Sequence, residues 1–164
     1  MEIRLASPAD LEELLAIFKR ARLYMASQGN PNQWGRNNWP PREAIEQDIA
    51  SKKSYVVIES KEIIGTFCLD FGMNPEPVYE HLEGGTWAYP GPYAVIHRIA
   101  AKKEGKGILR ITVDFALEKA PHIRIDTHED NLPMRHLLEK LGFAYRGIVR
   151  FDHDPYAPRL AYER

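Results

Sequence analysis

The sequence predicts an α/β fold whose sheet mixes strand directions, and two observations carry the prediction. The β-rich runs Ser54–Glu59 and Ile63–Phe71 are separated by little more than the turn residues Lys61 and Glu62, which makes them an antiparallel hairpin. Farther along, an apolar run from Ala94 to Ala101 leads through Gly105-Lys106-Gly107 into a helical pattern and then into a second strand. A strand, helix, strand order of that kind connects parallel strands.

Each element follows from its residues. Glu2 to Ala6 alternates as a short strand, and Ser7-Pro8-Ala9-Asp10 reads as an N-cap with proline at the first helical position. Leu11, Leu14, Leu15, Phe18 and Leu23 lie near helical spacing, opposite Glu12, Glu13, Lys19 and Arg20, so the helix is amphipathic. From Ser27 to Pro41 the chain is rich in Gly, Asn and Pro and carries Trp34 and Trp39, a loop that is read as packing or as a pocket rim. A second helix runs from Pro41 to Ala50 on Ile45 and Ile49, before the hairpin. Asn74 to Pro92 holds Gly84-Gly85, the acids Glu76, Glu80 and Glu83, and the aromatics Tyr79, Trp87 and Tyr89, as an irregular binding loop or a plain surface excursion would.

The Ile108–Lys119 helix sets Ile108, Ile111, Phe115 and Val113 inward, and Ala120-Pro121 ends it. His122 to Thr127 alternates, so Ile123, Ile125 and Thr127 share one face while Arg124, Asp126 and His128 share the other. Asn131 or Asp130 caps the next helix, lined by Met134, Leu137, Leu138 and Leu141, and Gly142 ends it in a left-handed conformation. Strands from Tyr145 to Phe151 and from Arg159 to Tyr162 close the chain, joined through Asp152-His153-Asp154-Pro155.

Composition narrows the function. A chain of 164 residues is enough for one sizeable core and short for two domains, so a single domain over 1–164 is expected. Lysine and arginine number 22 against 23 acids, a net charge of −1, which gives no global field for nucleic acid or an anionic membrane. No basic stripe accompanies the tryptophans as a stacking platform for nucleic acid would need. Cys68 stands alone in the apolar run Ile63–Leu69, so an internal disulfide is excluded and a buried, inert thiol is expected. No apolar run nears the ~20 residues that cross a bilayer, and a cytoplasmic protein without a membrane partner is expected. His128, Glu129 and Asp130 have no second cluster at ligand spacing, so no metal is expected.

A buried strand, a glycine turn and a helix N-terminus form a device for holding phosphates, because the first amides of a helix lack internal partners and carry its positive dipole end. Taken alone, Gly105-x-Gly107 reads as a tight strand-to-helix connection. With Ile96-His97-Arg98-Ile99-Ala100-Ala101 before it, Ile108 after it, and Asn131 leading Leu137-Leu138-Glu139-Lys140-Leu141-Gly142-Phe143, the sequence resembles the GNAT superfamily of acetyl-CoA-dependent N-acetyltransferases. The resemblance covers essentially the whole chain in element order. The family loop reads Gln/Arg-x-x-Gly-x-Gly/Ala, and the alignment that keeps the helix in register sets Glu104, Gly107 and Leu109 at its signature positions. Where many members hold a tyrosine that protonates the coenzyme thiolate, this chain has Leu138, and Tyr93 and Tyr145 are the candidates to replace it.

The resemblance implies a mixed, mostly antiparallel sheet with helices on both faces, in which the two parallel strands splay to admit acetyl-CoA as cosubstrate. It places pantetheine on backbone groups of Ile99, Ala100 and Ala101. It places the pyrophosphate on the Gly105, Lys106, Gly107, Ile108, Leu109 and Arg110 loop, with Asn131 as a further coenzyme contact beside its capping role. It also implies direct acetyl transfer to a primary amine of a small molecule or peptide, the rival reading being a non-catalytic acyl-CoA-binding module. A homodimer is a candidate assembly. Two groups are candidates for the base that deprotonates the amine, His97 and Asp126. An imidazole titrates near neutrality, whereas an aspartate near ~3.9 needs desolvation to act as a strong base, so His97 ranks first. The structural alternatives are a hydrogen-bonded core histidine and an Asp126 paired with Arg98 or Arg124.

Overall fold

The computed structural model describes residues 1–154 and 157–164. Among the described residues seven strands and four α-helices follow in the order β1 (Glu2–Leu5), α1 (Leu11–Ser27), α2 (Arg42–Ala50), β2 (Ser54–Glu59), β3 (Glu62–Gly72), β4 (Tyr93–Ala101), α3 (Ile108–Leu117), β5 (Ile123–His128), α4 (Leu132–Lys140), β6 (Ala144–Phe151) and β7 (Asp154–Glu163). The strand order is β1-β2-β3-β4-β5-β7-β6. The β1/β2, β2/β3, β5/β7 and β6/β7 pairs are antiparallel, and β4/β5 is parallel. That parallel register covers only Ala94↔Ile123 and Val95↔Arg124, although β4 continues to Ala101 and β5 to His128. The mixed fold with a splayed parallel pair is therefore present. None of the helices is long and apolar enough to cross a membrane, among the described residues.

The chain divides into two compact units, Met1–Leu69 with His97–Thr112, and Asp70–Ile96 with Val113–Arg164. In the first, α1 starts as the sequence predicts. Ser7 caps a 3-10 turn, Pro8–Asp10, and the Ser7 amide donates to Asp10 Oδ2 at 2.7 Å. The Arg4 guanidinium, followed by the Ser7 donors, holds the Asp10 carboxyl at about 2. Leu14, Ile17, Phe18 and Ala21 form the buried stripe of α1 at spacings of three and four, and pack with Trp34, Ile45, Ile49, Val56, Ile63 and Ala100. Leu23 was expected on that stripe but is 67% exposed, because it falls two residues past Ala21, off the inward face. Trp34 meets the Phe18 ring edge-on at 5.7 Å, and Trp39 packs on the same core, so both loop tryptophans serve packing.

In the second unit, Tyr79, Tyr93, Val95, Val149 and Ala161 form one buried cluster, with Trp87 and Phe151 against it. The Asn74–Pro92 segment is not featureless. It contains a 3-10 turn, Pro77–His81, and it lies along β6 through Glu83, whose amide and carbonyl bond Ile148 at 2.8 and 2.9 Å. A Cβ at Gly85 would run into the Arg146 carbonyl oxygen, so glycine is required there by close backbone approach. Gly85→Ala is expected to lower stability by about 1–3 kcal/mol, read as a depressed melting temperature, and an unchanged melt would refute that contact.

Three further expectations are corrected. The buried positions of α3 are Ile108, Leu109, Thr112, Val113 and Ala116, and Ile111 and Phe115 are only partly covered, so the inward face lies about one position round from the predicted one. On α4, Leu138 and Leu141 are buried but Leu137 is 47% exposed. The last strand begins at Asp154 rather than Arg159, and the Phe151↔Asp154 pair closes the β6/β7 hairpin. Pro155, in the predicted connection, lies outside the described residues. Gly142 does end α4 with φ 84°, and the Phe143 amide bonds the Leu138 carbonyl at 3.0 Å.

Candidate active site

In the first unit the site is a strand, a turn and a helix start. His97 is partly buried at the start of that unit's share of β4. Arg98 follows with φ 48°, a left-handed conformation within a strand. Its Nε and Nη2 donate to Asp48 Oδ2 and Oδ1 at 2.6 and 2.7 Å, and Nη2 lies 3.6 Å from Cys68 Sγ. Burial pushes the Cys68 thiol up to about 12, so it is inert, as its apolar setting in sequence implied.

Past Ala101 the Lys102 amide still bonds Ile64 O at 2.8 Å, and then the chain turns. Gly105 and Gly107 have φ 77° and 68° with open space where a Cβ would stand, so backbone conformation selects these glycines. Gly65 on β3 matters in the opposite way. A Cβ there would lie 2.7 Å from the Ile108 side chain, and its lack seats the first residue of α3. The first helical bond runs from the Ile111 amide to Gly107 O at 3.1 Å, which leaves the Ile108, Leu109 and Arg110 amides without intrahelical partners. Lys106 Nζ is held by Glu59 at 2.6 Å, so this residue presents its backbone to the turn and its charge elsewhere. Arg20 bonds Glu104 at 3.2 Å, and Lys102 bonds Glu13 at 3.1 Å. Lys103 and Arg110 are exposed.

In the second unit Asp126 is almost fully buried, its side chain 6% exposed. Arg98 and Arg124, the two partners expected for it, each meet another carboxylate. Arg98 is taken by Asp48, and Arg124 faces Glu163 directly across the β5/β7 ladder, bonding it at 3.2 Å. Instead Asp126 Oδ2 accepts the Tyr79 hydroxyl at 2.7 Å, and Oδ1 lies 3.7 Å from Arg159 Nη1, which is diagonal to it on β7. Burial, reinforced by the Asp126 charge, pushes the Tyr79 phenol well above its usual range. Tyr79 is fixed by Trp87 Nε1, which donates to its carbonyl at 2.8 Å, and by the Trp87 and Tyr93 rings. Sequence reasoning named Tyr79 only as a loop aromatic, since 47 residues separate it from Asp126.

Asn131 caps α4, its side-chain oxygen accepting from the Met134 amide at 3.3 Å. Leu138 is fully buried in that helix. Of the proposed replacements for a tyrosine there, Tyr145 is 51% exposed against Tyr162, and Tyr93 is buried with its hydroxyl donating to Glu76 O at 3.4 Å. The loop acids have local partners: Glu80 accepts from Asn74 at 2.9 Å, Glu83 from Arg150 at 3.2 Å, and Glu76 from the Val78 amide at 3.4 Å. Among the described residues there is no group of three His, Cys, Asp or Glu that could hold a metal ion.

The sequence matches the Acetyltransferase (GNAT) family over residues 12–143. The chain is also similar to the acetyltransferase of the GNAT family from Streptococcus agalactiae 2603, with 31% identity and a TM-score of 0.86 over 99% of this chain and 94% of that one. Two more distant structures share the fold. One is a GNAT-family acetyltransferase from Listeria monocytogenes 4b F2365, at 19% identity and a TM-score of 0.68 over 99% and 93% of the two chains. The other is the ribosomal-protein-alanine N-acetyltransferase from Brucella melitensis, at 17% identity and a TM-score of 0.66 over 100% and 99%. No curated protein matches the chain in sequence.

Proposed function

Because the chain belongs to the GNAT family of acetyltransferases, and is thus an enzyme that uses acetyl-CoA, we propose that it acetylates a primary amine of a small molecule or peptide by direct attack. The observation that carries the proposal is the left-handed residue in β4 followed by a glycine turn and the partner-poor amides of α3. A coenzyme pyrophosphate fits this feature: no side chain crowds the two glycines, and Lys103 and Arg110 bring exposed positive charge to the same turn. Acetyl-CoA supplies an activated acyl thioester. The Ile99, Ala100 and Ala101 backbone pairs with its pantetheine arm, and an amide near Ala100 polarises the thioester carbonyl. The Gly105, Lys106, Gly107, Ile108, Leu109 and Arg110 amides receive the pyrophosphate, and Asn131 is a further coenzyme contact. His97 takes the proton from the amine, with Asp126 as the alternative base. We also read residues 1–164 as one domain, since the family match runs through both compact units.

The test is thiol release from acetyl-CoA in the presence of a broad panel of primary amines, from polyamines and amino sugars to peptide N-termini. Release with at least one of them, together with the acetylated amine in the mass spectrum, is the expected result. Binding of acetyl-CoA without release from any amine would leave only the binding module and overturn the proposal.

A further inference from the structure

We propose that the Arg98–Asp48 ion pair is a positioning device, which holds one left-handed residue within β4 and thereby sets the direction of the Ile99, Ala100 and Ala101 backbone groups. The inference rests on the reading that those groups bind acetyl-CoA.

An L-residue resists φ 48°, because its Cβ crowds the following carbonyl, so a strand adopts this conformation only when its surroundings impose it. The surroundings of Arg98 do so by a rigid fork. Nε and Nη2 of a planar guanidinium meet the two oxygens of Asp48 at 2.6 and 2.7 Å, a geometry that fixes both the position and the plane of the side chain. The pair is mostly shielded, with side chains 21% and 13% exposed, and the Cys68 sulfur at 3.6 Å adds a third contact.

Asp48 is itself anchored by its helix. It lies on α2 between Ile45 and Ile49, and both are in the core cluster that contains Ala100. One packed layer therefore fixes the carboxylate that holds Arg98 and the residue two positions farther along the strand. The β4/β5 register ends at Val95 and the reversal at Arg98 comes next, as expected where a bulge re-aims the strand and ends its pairing. If residue 98 relaxed to an extended conformation, the amides and carbonyls after it would turn with it.

The experiment measures acetyl-CoA dissociation constants by calorimetry for the wild type, Arg98→Ala, Arg98→Gly and Asp48→Asn, each first shown to melt cooperatively. Glycine adopts φ above zero at no steric cost, whereas alanine does not. Both lose the ion pair. Arg98→Ala and Asp48→Asn are expected to bind about tenfold more weakly, the scale of the left-handed penalty for an L-residue, while Arg98→Gly stays within about threefold of wild type. A merely structural ion pair would weaken both Arg98 variants alike, and that result, or wild-type binding by all three variants, overturns the inference. Should Arg98→Ala lack a folding transition, Asp48→Asn is compared with the double variant Asp48→Asn/Arg98→Gly: restored affinity supports the inference, and unrestored affinity refutes it. A folded wild type that binds no acetyl-CoA refutes instead the coenzyme reading.

Discussion

Glu163→Ala is expected to cost about 3–5 kcal/mol of unfolding free energy, read as a lower urea midpoint with an unchanged slope. Its side chain is fully buried, and three donors converge on it: Arg124 Nε at 3.2 Å, Arg146 Nε at 3.3 Å and the Ala88 amide at 2.8 Å. Arg124 lies against the Trp87 and Tyr93 rings, 4.2 and 4.1 Å from their centres, and donates to Tyr89 O at 2.8 Å. Alanine would thus leave a sheltered guanidinium without its carboxylate, and would detach the Asn74–Pro92 segment from β7 at Ala88. Glu163→Gln keeps the volume and one acceptor, so a smaller loss is expected. A loss below about 1 kcal/mol for Glu163→Ala would show that solvent replaces the carboxylate and that the segment is held elsewhere.

What the sequence made legible was mostly local. Ser7-Pro8 announces the start of α1, Asn131 the start of α4 and Gly142 its end, because each acts on a backbone within four residues of itself. The hairpin of β2 and β3 and the strand, turn, helix order of β4 and α3 are local as well. The residue at φ 48° is not, since nothing in Ile96-His97-Arg98-Ile99 indicates that Asp48, fifty residues earlier, holds Arg98. The same holds for the Tyr79–Asp126 bond. Pairing was misjudged at Asp126, where Arg124 on the same strand face looked like a partner although its carboxylate, Glu163, comes from the last strand. The start of β7 was misplaced because Asp152-His153-Asp154-Pro155 has the composition of a turn, yet the strand starts at Asp154. Leu23 and Leu137 fell outside the cores because a leucine near the helical period is drawn inward only if its exact angle faces the packed layer.

The largest effect on activity is expected at His97. His97→Ala should lower kcat by about 10²–10⁴-fold with any amine that supports thiol release, leaving acetyl-CoA affinity within about threefold, since the side chain is assigned to the proton and not to the coenzyme. Asp126→Asn is the comparison. The carboxylate already accepts the Tyr79 hydroxyl on Oδ2 at 2.7 Å and has Arg159 at 3.7 Å from Oδ1, so a base role would have to be shared with two groups that already face it. Asparagine has the same shape and can still accept from Tyr79, so a carboxylate that only holds Tyr79 should tolerate it with less than about threefold loss of kcat. Tyr79→Phe, which removes the hydroxyl and keeps the ring between Trp87 and Tyr93, should then change stability more than kcat. The opposite pattern, with Asp126→Asn inactive and His97→Ala near wild type, would move the base to Asp126 and make the Tyr79 bond part of the machinery that holds it. Equal losses in both would refute the expected tolerance of Asp126→Asn.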